Sequence, residues 1–171
     1  MYYGRILAIL GVVAAVVGFL LKKASSAGEQ AMAALSELQE GFPANLDENT
    51  WSALYNDTAW AAIVYAIAAV AAAIVVFTPP LKEPMKRLYG LIASALGVLM
   101  LIIGIFSTMG AMDDADTLEA GFAGFFSAGA IPEAYSVSIG WGWYLLILAG
   151  VLVAIGGVLS LLNRPNENAV S

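Results

Sequence analysis

Residues 89–104 read YGLIASALGVLMLIIG, with glycine at 90, 97 and 104 and no charged side chain between them. A seven-residue spacing returns each glycine to nearly the same helix face, drifting by ~20° per heptad. Glycine on one face lets a second backbone approach closely, a common basis of helix association in lipid. The stretch therefore predicts a membrane helix with a packing seam. Residues 3–18, YGRILAILGVVAAVVG, carry the same pattern 86 positions earlier. Gly4, Gly11 and Gly18 stand where Gly90, Gly97 and Gly104 stand, and Tyr3, Leu10 and Val12 match Tyr89, Leu96 and Val98.

The correspondence extends to the other apolar runs. At an offset of 83, Ala59, Ala66 and Ala73 fall on Gly142, Ala149 and Gly156, and Trp60 falls on Trp143. Leu38, Gly41 and Phe42 share their spacing with Leu118, Gly121 and Phe122. Each half then reads as helix, outer loop, helix. Halves separated by an even number of crossings share one orientation, which makes a parallel repeat about an axis along the membrane normal. The expected fold is an all-α, four-helix transmembrane bundle of two tandem hairpins. The small-residue stripes are expected to pack these helices on one another rather than to dock a separate subunit.

Composition supports the membrane assignment. Of 171 residues, 61% are hydrophobic and 12% charged, and the mean hydropathy is +0.84. Four apolar runs have the length that crosses a ~30 Å hydrocarbon core: Ile6 to Leu21, Ala59 to Phe77, Leu88 to Phe106 and Ile139 to Leu162. The spans are expected at about 4–22, 57–78, 85–111 and 138–163. Outer loops cover 23–56 and 112–137, and an inner loop covers 79–84. Lys22 and Lys23 occupy the region where a signal peptide would be cleaved, so the first run reads as a retained helix. The proline-free stretch 22–40 predicts that this helix continues outward to residue 40, where Gly41 and Pro43 stop it. Pro79 and Pro80 end the second helix. Ser136 or Ser138 is expected to cap the fourth.

The side bearing the short connection carries Arg5, Lys82, Lys86, Arg87 and Arg164, against Lys22 and Lys23 opposite. The positive-inside rule then places both termini in the cytoplasm of a multi-pass plasma-membrane protein. A net charge of −6 gives no footprint for nucleic acid.

Neither cysteine nor histidine occurs, which excludes thiolate metal sites, histidine-ligated haem and the usual nucleophile–base pairs. Transporters and proton relays carry ionisable groups at membrane depth. Here the mid-membrane polar groups are Tyr65 and Ser94, with Ser107, Thr108 and Ser160 nearer the ends. The densest polar cluster holds Asp113, Asp116 and Glu119 at a spacing of three, the one candidate for a hard cation. It lacks the EF-hand glycine and ligand alternation, and no metal or other cofactor is expected. Trp51, Tyr55, Phe122, Phe125, Phe126, Trp141 and Trp143 are the candidate partner or interface contacts, as interfacial or loop aromatics.

These features point to a non-catalytic accessory, assembly or scaffold subunit of a larger membrane complex, with other membrane subunits and lipid as partners. A cytoplasmic membrane of bacterial or archaeal type is the expected setting. The alternative is a small transporter or lipid-handling protein with a cavity between the two repeats.

Overall fold

The computed structural model describes residues 3–21, 24–27, 59–78, 85–129 and 136–162. The elements run α1 (Tyr3–Leu20), β1 (Ala24–Ala27), α2 (Ala59–Phe77), α3 (Arg87–Ser127), β2 (Ser136–Ile139) and α4 (Trp141–Leu162). All four helices are long and apolar enough to span a membrane. α1, at 18 residues, is about 27 Å long, close to the hydrocarbon thickness.

The last helix is the centre of the bundle. α4 packs extensively on α1 along one side and on α3 along another, whereas α2 meets α3 over a shorter contact and α1 only sparsely. The buried core combines Val12 and Ala15 of α1, Tyr65 and Ala68 of α2, Met100 and Ile103 of α3, and Trp143, Leu146 and Val153 of α4. Outward faces carry bulky aliphatics such as Leu10, Ile67, Ile102 and Ile155, as lipid contact requires.

Helix ends follow local chemistry. At the end of α2, Ile74 O accepts from Thr78 N at 2.8 Å and from Thr78 Oγ1, just before Pro79 removes the next donor. α3 stops at Gly129, whose φ of +73° is the left-handed geometry that suits glycine at a helix exit. There Ala128 N donates to Gly124 O and Gly129 N to Phe126 O.

Two expectations are corrected. The helix that runs on beyond its apolar span is the third, not the first. α1 ends at Leu20, and Ala24–Ala27 form a strand paired antiparallel with β2, in the register Ala24↔Ile139 to Ala27↔Ser136. Ser25 and Ser26 compete with helical hydrogen bonding, and the alternating SVSI of β2 supplies a partner edge. A two-stranded ribbon is marginal alone. This one is anchored by Val137, which joins the same buried cluster as Ala111 and Ala115 of α3. Ser136 and Ser138 therefore lie in β2 instead of capping α4, which begins with Trp143 N donating to Gly140 O.

α3 in turn runs 41 residues, about 61 Å, through the region read as a loop from 112. Apolarity ends near Met112, but nothing breaks the helix there. Asp113 to Glu119 contain no proline or glycine, and Thr117 Oγ1 donates to Asp113 O. The inner loop 79–84, and residues 28–58 of the first outer loop, lie outside the described residues.

Candidate functional site

α4 carries two heptad seams one residue out of step. Toward α1 it presents Gly142, Leu146, Ala149, Val153, Gly156 and Ser160. Toward α3 it presents Ile147, Gly150, Ala154, Gly157 and Leu161. α1 answers with Gly4, Gly11 and Gly18, and α3 with Gly90, Gly97 and Gly104. Both ladders thus address the same helix. A Cβ at Gly4 would stand 2.6 Å from Gly156 O and from Ser160 N, and one at Gly11 2.8 Å from Val153 N. A Cβ at Gly97 would overlap the amide nitrogen of Ala154. Gly150 and Gly157, also seven apart, supply the α3-facing seam. Sequence reasoning passed over that pair because it followed only the 142–149–156 spacing.

Segment two is built differently. Its buried line is Ala61, Tyr65, Ala68, Ala72 and Val76. Ala66 and Ala73 are half-buried beside that line, and the side chain of Ala59 is outside the described residues.

Several polar groups inside the bundle reach backbone carbonyls. Arg5, 2% exposed, donates from Nε and Nη2 to Val76 O at 3.1 and 2.8 Å. The helical donor to that carbonyl would be the amide of residue 80, which is proline and has none. An arginine of α1 therefore supplies what the proline pair withholds from α2. Tyr65 Oη donates to Leu146 O at 2.6 Å, with the Phe19 ring edge-on at 5.5 Å. Thr108 Oγ1 donates to Gly104 O, and Ser160 Oγ to Gly156 O.

The aromatic candidates separate. Trp141 is 78% exposed at the start of α4, while Trp143 is fully buried, a correction to its assignment as a surface contact. Two positions along a helix turn the side chain by about 200°, so Trp143 joins the inward line of Leu146 and Val153. Trp141 and Tyr144 instead flank, with Ile139, an open cleft of about 350 Å³. Phe126 is half-exposed near the end of α3. The side chains of Phe122 and Phe125, and all of Trp51 and Tyr55, lie outside the described residues.

Asp113, Asp116 and Glu119 are exposed along the outer part of α3, and among the described residues no three metal-capable side chains converge. No protein-family model, curated protein or solved structure matches the chain.

Proposed function

We propose that this chain is a non-catalytic accessory, assembly or scaffold subunit of a larger membrane protein complex. The observation that carries the reading is the outer part of α3. From Asp116 to Ser127 its described side chains are exposed, and a Cβ added at Gly121 or Gly124 would meet nothing within 4 Å. A short helix standing in water is marginal by itself, so such an extension fits a neighbour that completes its packing. The glycine ladders are used inside the bundle, which leaves this extension and the exposed aromatics as the contact surface.

The bundle is further read as two tandem hairpins of common origin. The matching glycine heptads of α1 and α3 in the sequence motivate that reading. The charge balance places the Arg5–Val76 end in the cytoplasm and the β1–β2 ribbon outside, in the plasma membrane. A transporter or lipid carrier would need a passage between the helices, where Tyr65, Met100, Trp143 and Leu146 are fully buried instead.

Affinity purification of the tagged chain from its native membrane tests the assignment. Stoichiometric co-purification of other membrane chains, lost on Phe126→Glu while the bundle stays folded, is the expected result. A stable lone oligomer carrying a bound small molecule would overturn it.

A further inference from the structure

α4 enters its apolar span through two exposed aromatics. Trp141 and Tyr144 stand about one helical turn apart, with ring centroids at 5.8 Å and planes tilted by 57°. With Ile139 of β2 they line an open cleft of about 350 Å³, at the small end of the ~300–1,000 Å³ typical of ligand sites. Further along the helix Leu148 and Ile155 lie on the same face as Tyr144, both exposed, because steps of four and seven residues return a helix nearly to one direction. The cleft is therefore the head of an apolar track that continues along the membrane-spanning part of α4.

The chemistry of the cleft selects what can sit there. An indole N–H and a phenol O–H donate to phosphate or ester oxygens, and the faces of both rings attract a cation. The surroundings carry the matching charge. β2 rests on α3 through Val137, in one cluster with Ala111 and Ala115, and the neighbouring Asp113, Asp116 and Glu119 are exposed carboxylates. Such a surface repels a headgroup of net negative charge and favours one that presents an ammonium. We propose that the cleft is a seat for a single zwitterionic phospholipid: its ammonium lies against Trp141 and Tyr144, and an acyl chain lies along Leu148 and Ile155. The seat is on a different element from the outer part of α3 that carries the proposed subunit contact, and it leaves the packed interior of the bundle closed.

Native mass spectrometry of the full-length chain in mild detergent tests the seat, with phosphatidylcholine, phosphatidylethanolamine and phosphatidylglycerol of matched chains in competition. Both ammonium lipids are expected to be retained about two- to fivefold over phosphatidylglycerol, the worth of an exposed cation–π contact. Trp141→Leu and Tyr144→Leu keep an apolar side chain and should abolish that preference, while Trp141→Phe should retain part of it. Trp60→Leu is the control. Trp60 is an exposed tryptophan at the start of α2, and a general interfacial belt would treat it and Trp141 alike. No preference in the unaltered protein, or equal loss in Trp60→Leu and Trp141→Leu, overturns the proposal. So does a benzophenone side chain in place of Trp141 that cross-links, in native membrane, to a protein chain and not to lipid.

Discussion

Gly97 and Ala154 meet backbone to backbone, so closely that a Cβ on residue 97 would fall on the amide nitrogen of Ala154. Gly104, one heptad on in the same ladder, has 3.5 Å to its nearest neighbour, Ile147. The ladder is regular in sequence and graded in space. Gly97→Ala is accordingly expected to destabilise the bundle by ~1–3 kcal/mol, the usual cost of overpacking. Gly104→Ala should stay within ~0.5 kcal/mol. Thermal unfolding of the two variants in one detergent checks the contrast, and equal melting would remove the case for graded contact.

Arg5 and Pro80 are coupled through Val76 O. Arg5→Ala strands that carbonyl, at ~1.5–3 kcal/mol for a lost charge-assisted bond. In a Pro80→Ala background the backbone N–H returns, and the same substitution should cost less than half as much. A double-mutant cycle reads the difference directly. Additive costs would mean that Arg5 acts through something other than the missing donor.

Tyr65→Phe keeps the ring against Phe19 and removes only the hydroxyl. The expected loss is ~0.6 kcal/mol, with ~1.7 as the ceiling for hydrogen bonds of this kind. Unfolding of the purified protein in mild detergent measures it, and a loss several times larger would show that the hydroxyl holds more than Leu146 O.

Trp141 and Trp143 should behave as opposites. Trp143→Ala opens a cavity in the core and is expected to cost ~3 kcal/mol or more, whereas Trp141→Ala should leave the melting temperature nearly unchanged. In single-tryptophan variants, a membrane-surface quencher should reach Trp141 and Trp60, both exposed, and spare Trp143. Equal quenching of Trp141 and Trp143 would contradict the inward rotation of α4 at residue 143.

Much of the bundle was legible in the residues because its signals are local. An apolar run of membrane length reads as a helix whatever its neighbours, and a seven-residue glycine spacing names a packing face. The extramembrane parts were misjudged because two codes end at different places there. At Met112 the apolar run stops while helix propensity continues, and at Leu21 good helix formers follow but a strand partner more than a hundred residues away competes for the same backbone. Trp143 was misplaced for a related reason, since residue type marks an interfacial aromatic while helix rotation decides which way it faces. The Arg5–Val76 bond could have been sought from the proline pair, which announces carbonyls without donors, but nothing in the sequence says which helix brings the missing hydrogen.

Taken by itself, the sequence determined that this protein has four apolar helices of membrane-spanning length, with glycine seams on the first and third, because hydropathy and periodicity are properties of each segment alone. Only the tertiary structure decided that both seams close on α4, that Tyr65 and Val76 of α2 are hydrogen-bonded to neighbouring helices, and that Ala24–Ala27 pair with Ser136–Ile139. Those outcomes depend on which surfaces meet. Each helix offers several faces of similar apolarity to the lipid, and the choice among them rests on backbone approach at a few glycines and on where buried donors find their acceptors.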